Sequence, residues 1–183
     1  MSMITPKSVL LVAALGASSA ACASVNLHGE AGEEFTNLSA SFGAEEPGMT
    51  FNGNWAHSDN DGDVAGLGMG YNFNIGPFLL TLGGKALYLN PQDSDEGYAV
   101  ALGGGAQLPL GQYFTLFGET YYSPDSMSSG VDDYVEANAG VRINVIKSLN
   151  IEAGYRYIDM AGKDAHHDNT LADGAYAGFN FRF

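Results

Sequence analysis

The sequence predicts an all-β protein, a closed antiparallel transmembrane β-barrel of ten strands, with eight strands as the alternative count. One observation is the composition: glycine is abundant, only 15% of the residues are charged, and mean hydropathy is −0.05. Another is that segments of strand length alternate between apolar and polar residues along most of the chain. A strand that faces lipid on one side and a polar lumen on the other requires this period of two. Beyond residue 23, no apolar run reaches the roughly 18 residues of a membrane-spanning helix.

The N-terminus has the features of a secretory signal peptide. Lys7 supplies a positive start, residues 9–15 (VLLVAAL) form a short apolar run, and residues 21–23 (ACA) fit a cleavage site between small residues. The run is too short to span a bilayer. We therefore divide the chain into a cleaved signal, residues 1–23, and an outer-membrane β-barrel, residues 24–183.

A second interpretation of this segment is a lipoprotein that is cleaved before Cys22 and anchored through its sulfur. Ser19 argues against it, because it stands where a lipobox usually has Leu. Cys22 is the only cysteine of the chain. Its removal with the signal would leave a mature chain without a disulfide, a thiolate nucleophile or a cysteine-ligated metal.

The C-terminal segment, residues 173–183, is the most regular strand pattern in the chain. Apolar residues on one face end in Phe179, Phe181 and Phe183, while Tyr176 belongs to the polar face. In water such an aromatic edge strand would invite aggregation, whereas it suits the closing strand of a barrel in lipid. We predict that these four aromatic residues form the assembly signal. The expected partners are outer-membrane lipid, the outer-membrane assembly machinery and periplasmic chaperones.

The remaining strands follow from the same alternation, with the larger apolar residues predicted to face outward. The predicted segments are 24–30, 35–43, 49–57, 63–73, 78–89, 98–110, 113–122, 134–145, 149–158 and 173–183. The first two have weaker patterns, so omitting both gives the alternative of eight. Bacterial single-chain barrels have even strand numbers, which disfavours nine.

The connections between these segments differ in length and polarity. Short links at 74–77, 111–112 and 146–148 are predicted to be periplasmic turns, and longer polar links at 57–63, 90–97, 123–133 and 159–173 are predicted to be extracellular loops. This asymmetry is typical of outer-membrane barrels. Both termini are then expected in the periplasm of a Gram-negative bacterium.

A soluble sandwich or a lipocalin-like barrel is the alternative fold. In either, the apolar face would turn inward and the opposite face would carry most of the charge. Here the few charges lie in the middle of strands among glycine and asparagine, and the apolar face is long and uninterrupted. The pattern therefore favours the transmembrane barrel.

A set of charged residues on the polar faces of the strands is the best candidate site. It comprises Lys85, Glu119, Glu136, Arg142, Glu152, Arg156 and Arg182. Ions in a narrow interior must be paired, so we expect a lumen charge network. One interpretation is structural, a lumen plugged by salt bridges. Another is a narrow, charge-lined passage for small ions or solutes, and a proton relay or catalytic site is the third.

The predicted loops are acidic, and the charge of the chain limits its partners. With 21 acidic and seven basic residues, the net charge is −14, and removal of Lys7 makes it −15. This charge argues against nucleic-acid binding. Residues 59–63 (DNDGD) resemble the start of a calcium loop, but Gly70 stands where the bidentate Glu should be. We expect weak divalent-cation binding at most, and neither a cofactor nor a dedicated metal site.

Two further groups of residues contain side chains that take part in metal binding or nucleophilic catalysis in other proteins. His166, His167 and Asp168 contain zinc or copper ligands, but adjacent histidines on a loop rarely form such a site. Ser123 and Ser126 lie on a predicted loop, and no G-x-S-x-G element frames either one. We therefore predict that the protein is not an enzyme.

Several long stretches resemble the YfaZ family of outer-membrane protein precursors. They are residues 53–73 (GNWAHSDNDGDVAGLGMGYNF), 76–105 (GPFLLTLGGKALYLNPQDSDEGYAVALGGG), 116–142 (LFGETYYSPDSMSSGVDDYVEANAGVR) and 153–164 (AGYRYIDMAGKD). The resemblance covers most of the mature chain. It implies a porin-like outer-membrane barrel of about this length, and it carries over no catalytic residue. The leading functional prediction is a porin-like barrel with a narrow passage for small ions or solutes. The alternative is a structural or surface-interaction barrel whose lumen is plugged by a salt-bridge network.

Overall fold

The protein is an antiparallel β-barrel. The structure, a computed structural model, describes residues 24–92, 96–162 and 168–183. Its strands are β1 (Val25–Gly32), β2 (Phe35–Phe42), β3 (Gly48–Ser58), β4 (Gly62–Ile75), β5 (Phe78–Pro91), β6 (Gly97–Leu110), β7 (Phe114–Ser123), β8 (Ser128–Ser129), β9 (Val131–Ile146), β10 (Leu149–Gly162) and β11 (Asn169–Arg182). A 3-10 turn, Asp125–Met127, precedes β8.

Ten of these strands close the barrel. Each pairs with its neighbours along the chain, β7 pairs with β9, and β1 pairs with β11, so that no edge remains. β8 is a two-residue addition that pairs with β6. The predicted closed barrel of ten strands is confirmed, and the two weakly patterned segments are β1 and β2. No helix in the described ranges has the length and apolar character of a membrane span.

The two ends of the barrel differ in their connections. At the terminal end, which carries Ser24 and Phe183, the links are residues 43–47, 76–77, 111–113 and 147–148. At the opposite loop end, they are residues 33–34, 59–61, 124–130 and the links from β5 to β6 and from β10 to β11.

The predicted length difference between turns and loops is partly wrong. β3 and β4 extend to Ser58 and Gly62, leaving only residues 59–61, and β9 already begins at Val131. Backbone hydrogen bonds continue through these polar residues, because a ladder does not depend on apolar side chains. At the terminal end, residues 43–47 form a five-residue link. Gly43 there has φ 67°, and a Cβ would lie 2.6 Å from the Met49 carbonyl oxygen, so this turn needs glycine.

The outward face of the barrel is apolar, as the alternation predicts. Leu67 is 71% exposed and Leu82 is 63% exposed on neighbouring strands, and Phe179 and Phe181 continue this surface on the last strand. An exposed surface of this kind would be unfavourable in water and is what a bilayer requires.

The inward face has two parts, and the prediction of a polar inward face is wrong for one of them. Near the loop end, apolar side chains from eight strands fill the lumen. We call this set the apolar plug: Phe35, Ala56, Val64, Leu87, Leu89, Ala99, Ala101, Val131, Tyr134, Ile158, Met160 and Leu171. None is more than 5% exposed. Six of these strands, β4, β5, β6, β9, β10 and β11, have 14–16 residues and extend beyond the roughly 9–11 residues needed to cross a bilayer. A barrel this narrow can be filled by its own side chains.

Candidate functional site: the polar lumen

The rest of the lumen contains buried ion pairs, beginning beside the apolar plug. Glu136 accepts hydrogen bonds from Lys85 Nζ at 2.9 Å and from Arg156 Nη1 at 2.9 Å. Tyr134 of the plug donates its hydroxyl to the same carboxylate at 3.2 Å. Arg156 also forms an ion pair with Glu30 through Nε. These four charged side chains are at most 4% exposed, so each charge depends on its partners.

A second group of ion pairs lies toward the terminal end. Arg142 Nε donates to Glu152 at 2.6 Å, and Arg142 Nη1 lies 3.3 Å from Glu45. Arg182 Nη1 donates to the other oxygen of Glu45 at 2.5 Å. Exposure rises in this direction: the Arg142 side chain is 14% exposed and the Arg182 side chain is 35% exposed. Solvent therefore screens the outermost pair more than the inner ones.

His28 connects the two groups. Its Nε2 lies 3.1 Å from Glu152 and 3.7 Å from Glu30, and Nδ1 lies 3.5 Å from the Ser39 hydroxyl. The result is one continuous series in which carboxylates alternate with basic side chains, and we call it the ion series. In order, it contains Lys85, Glu136, Arg156, Glu30, His28, Glu152, Arg142, Glu45 and Arg182.

Strand register explains why these residues meet. Glu30 of β1 and Glu152 of β10 both lie opposite Gly178 of β11. A Cβ at residue 178 would lie 3.1 Å from Glu30 Cβ and 2.8 Å from the Gly29 carbonyl oxygen. Glycine therefore allows two carboxylates to approach across an intervening strand. Arg142 lies directly opposite Glu152 in the β9–β10 hairpin, where cross-strand side chains are in contact range.

The link 43–47 folds against the terminal end of the lumen. Asn72 Nδ2 donates to the carbonyl oxygens of Gly43 at 2.7 Å and Glu46 at 2.9 Å, and Gln107 Nε2 donates to that of Ala44 at 3.1 Å. With Glu45 held by two arginines, this link covers part of the opening. It is anchored to β4, β6, β9 and β11.

A cavity of about 180 Å³ lies among these residues. Asparagine and serine from β1 to β3, such as Asn26, Ser39 and Asn52, line one side of it, and members of the ion series line the other. It could hold several water molecules or a small polar solute, since a water molecule occupies about 30 Å³ in the liquid.

All seven charged residues predicted for the lumen face inward. Six of them belong to the ion series, and the seventh, Glu119, lies 4.0 Å from Arg156 with a side chain 32% exposed. The prediction omitted Glu30, Glu45 and His28. Two of these were visible in the alternation Asn26, His28, Glu30 of the first strand. Glu45 lies in a connection, where no periodicity indicates direction.

The four predicted assembly-signal residues divide between the two faces. Phe179 and Phe181 face outward with ring centroids 5.9 Å apart, and Phe183 is 75% exposed. Tyr176 faces the lumen, where it is 5% exposed and donates its hydroxyl to Asn138 at 3.0 Å. Its contacts are therefore internal, whereas the three phenylalanines remain accessible from outside the barrel.

The other sequence candidates have simpler surroundings. Asp63 accepts a hydrogen bond from Trp55 Nε1 at 3.1 Å and contacts His57 at 2.9 Å, and Asp61 accepts one from Ser58. The buried Ser123 hydroxyl donates to the Met127 carbonyl. Among the residues that the structure describes, no group of three or more His, Cys, Asp or Glu side chains could hold a metal ion. The His166–His167 pair lies outside the described residues.

Comparisons with solved structures find other barrels. The NanC porin has a TM-score of 0.48 at 10% identity, covering 88% of this chain and 100% of that one. The KdgM porin has a TM-score of 0.47 at 11% identity, covering 87% and 99%.

Sequence comparisons give closer relationships. The Escherichia coli (strain K12) outer membrane protein YfaZ is 52% identical over 165 residues, which cover 90% of this chain and 92% of that protein. The family model described as "YfaZ precursor" matches residues 4–183. The predicted outer-membrane location is thereby confirmed, and "precursor" implies a cleaved signal, while the cleavage position stays a prediction. On this identity and coverage, the chain belongs to the YfaZ family of outer-membrane β-barrel proteins.

Proposed function

We propose that this protein is a structural or surface-interaction barrel with a closed lumen, and not an open pore. The observation that supports the proposal is the apolar plug. Leu89, Ile158 and Met160 point toward the barrel axis and are 0% exposed, so they leave no open space in the lumen at their level. Water and ions can cross a barrel only through a continuous pore lined by polar groups. A packed apolar layer interrupts such a pore and excludes both.

The ion series supports the same proposal. Lys85, Glu136 and Arg156 are each paired within the lumen and have almost no exposed surface. A permeating ion would have to displace a partner from a buried, hydrogen-bonded charge, which is costly. We also propose that the terminal end faces the periplasm and the loop end faces the cell exterior, so that the plug would close the outer side.

A narrow passage for small ions or solutes is the second candidate function. It is favoured by the polar cavity, which the ion series connects to the partly exposed Arg182 at the terminal end. Such a passage would conduct only if the plug rearranged. The two candidate functions therefore differ in whether the apolar plug stays packed or rearranges when a voltage is applied.

Planar-bilayer conductance tests the proposal. We expect the wild-type barrel to be silent across voltage, whereas a variant with Leu89→Ala, Ile158→Ala and Met160→Ala should show discrete steps because the plug is thinned. The matched control carries three outward substitutions, Leu82→Ala, Ile151→Ala and Leu102→Ala, and should stay silent. Wild-type steps that scale with ion size would contradict the closed lumen and favour the passage.

We further propose that the three outward phenylalanines at the C-terminus are recognised by the outer-membrane assembly machinery. Deletion of Phe183 should greatly reduce insertion in cells, measured as the folded, heat-modifiable band in outer-membrane fractions. The Phe183 side chain is 75% exposed, but its backbone exchanges two hydrogen bonds with Val25. Phe183→Ala removes the same ring and keeps both bonds, so it should reduce insertion while changing the unfolding free energy of the purified barrel little. The Phe73→Ala substitution is a control for loss of an aromatic residue elsewhere. Normal insertion of the deletion variant would contradict recognition.

A further inference from the structure

The carboxylate of Glu45 lies between two guanidinium groups at the terminal end of the lumen. Its Oε1 lies 3.3 Å from Arg142 Nη1, and its Oε2 accepts a hydrogen bond from Arg182 Nη1 at 2.5 Å. Arg142 belongs to β9 and Arg182 to β11, whereas Glu45 comes from the link between β2 and β3. Guanidinium groups suit this role, because their planar N–H donors match the geometry of a carboxylate.

Arg142 is held in place by contacts that do not involve Glu45. Its Nε donates to Glu152 at 2.6 Å, and its Nη1 donates to Gln107 Oε1 at 3.4 Å. The guanidinium also lies 5.4 Å from the ring centroid of Phe117, which is within the range of a cation–π interaction. These contacts would remain if Glu45 moved away. The position of Arg142 is therefore preorganised for another carboxylate.

Arg182 is the accessible side of this pair of arginines. Its Nη2 donates to the Lys147 carbonyl oxygen at 3.4 Å, and its backbone N–H donates to the Ser148 carbonyl oxygen at 3.0 Å. The Arg182 side chain is nevertheless 35% exposed. A ligand in solution at the terminal end can therefore reach the position of the Glu45 carboxylate without crossing the apolar plug.

The link 43–47 can release Glu45 while the flanking strands stay paired. Gly43 has φ 67° and Gly48 has φ 127°, so a glycine in the left-handed region stands at each end of the link. Asn72 donates to two of its carbonyl oxygens. Such neutral hydrogen bonds contribute less than hydrogen bonds between charged groups. The ion pairs of Glu45 are therefore the strongest contacts that hold the link against the lumen.

We propose that Arg142 and Arg182 form a binding site for a small carboxylate ligand, and that Glu45 occupies it as a displaceable internal ligand. The exchange replaces one carboxylate by another, so the charge of the ion series does not change. Two arginines would repel a cation, a neutral solute would not replace the charge of Glu45, and a dianion would add a negative charge beside Glu152. Displacement would free the link and widen access to the cavity.

The competing interpretation is that Glu45 only anchors the link. In that case the arginines accept no carboxylate from solution, and the loss of Glu45 cannot be compensated. The two interpretations therefore differ in what a small carboxylate does once the Glu45 side chain is removed.

Thermal unfolding of the Glu45→Ala barrel in uncharged detergent tests the proposal. Loss of the carboxylate should lower Tm, and sodium formate should restore it along a one-site saturation curve, whereas sodium chloride at equal ionic strength should not. We expect a rise of about 3–6 °C, relative to the wild type in the same salt, at ten times the half-saturating concentration. Glu46→Ala, which removes the exposed neighbouring carboxylate, is the control and should show no such rise. Equal Tm values of Glu45→Ala in both salts would overturn the proposal.

Two further substitutions in the Glu45→Ala background assign the effect to the site. Arg182→Gln should abolish the rise, because the ligand loses one of its two arginines. Lys147→Ala removes another cation of the terminal end and keeps the carbonyl oxygen that Arg182 contacts, so it should retain the rise. A rise that survives Arg182→Gln would overturn the assignment.

A measurement that keeps Glu45 covers the case in which Glu45→Ala fails to fold. Cys22 is the only cysteine and lies in the predicted signal, so Glu46→Cys gives the mature chain a single site for a nitroxide label. Formate should make this label more mobile, at higher concentration than Glu45→Ala needs because the tethered carboxylate competes. A label at Gln112→Cys, in the turn after β6, should not respond. An unchanged label at residue 46 throughout the titration would overturn the displacement. Neither readout depends on conductance, so the outcome is separate from that of the closed-lumen proposal.

Discussion

The two halves of the lumen are built by the same strands and closed by different physical means. On β10, Glu152 and Arg156 belong to the ion series, and Ile158 and Met160 on the same face belong to the apolar plug. The plug excludes water by burial, which needs no specific partner. The ion series is favourable only while each charge keeps its counter-charge. The comparison teaches that a narrow barrel can tolerate local changes in the plug more readily than the removal of one ion.

This difference also predicts how each half responds to conditions. Burial of apolar side chains is little affected by salt at moderate concentration. Ion pairs become more sensitive to salt as their exposure rises, which increases from Arg156 at 4% to Arg182 at 35%. Salt should therefore affect the terminal end more than the loop end.

The largest effect is expected from breaking the ion series at its most buried member. Arg156→Ala would remove one directly contacting cation from both Glu30 and Glu136, although Glu136 would keep Lys85. Loss of one member of a buried pair costs about 3–5 kcal/mol. The measurement is reversible urea unfolding in lipid vesicles. Lys147→Ala, at an exposed position of the terminal-end turn, is the control and should have little effect. Equal unfolding free energies for both variants would show that the ion series does not stabilise the barrel.

The next largest effect is expected in the plug. Ile158→Ala should lower the unfolding free energy by about 2–4 kcal/mol, because transfer free energy is lost and a cavity remains. Ile151→Ala on the same strand faces lipid and is the matched control. Both substitutions remove the same side-chain carbons. Lipid can fill the space left at residue 151, whereas the space left at residue 158 remains a cavity. The difference between the two, about 1–2 kcal/mol, therefore measures the cavity, and a difference of zero would mean that the plug is loosely packed.

An intermediate effect is expected where the ion series becomes more exposed. Arg142→Ala removes one partner of Glu152, which keeps His28, and one partner of Glu45. The Arg142 side chain is 14% exposed, so water can reach the site. We expect a loss of about 1–3 kcal/mol, with a stronger salt dependence than for Arg156→Ala. A larger loss than for Arg156→Ala would reverse the proposed order along the lumen.

The fold could be predicted almost completely from the sequence. The period of two assigns each side chain to one face of its strand. Leu82 and Lys85 are therefore expected on opposite faces before any packing is known, and this is where the structure places them. The weak pattern of β1 has a physical reason, because its outward face includes the small residues Gly29 and Ala31. Strand ends could not be predicted as well, since backbone pairing continues through polar residues such as Asp63.

The candidate site was predictable in part. The position of a charged residue within a strand predicts that it faces the lumen, as for Glu136 and Arg156. It does not predict which opposite charge the residue will contact. The apolar plug does not follow from the charged residues, because the inward face of β5 changes from the charged Lys85 to the apolar Leu87 and Leu89 within one strand. Glu45 could not be predicted, because its position depends on how the link 43–47 folds against four strands.

The smallest effect is expected from the member at the margin of the lumen. Glu119 lies 4.0 Å from Arg156 and its side chain is 32% exposed, so its attraction is weakened by distance and by water. Glu119→Gln keeps the shape and removes the charge, and it should change the unfolding free energy by less than about 1 kcal/mol. The control is Glu136→Gln at the same cluster, where two buried cations each lose a charged partner and a several-fold larger loss is expected. Comparable losses in urea unfolding would show that burial does not determine the strength of these pairs, and the contrast between the two halves of the lumen would then need another explanation.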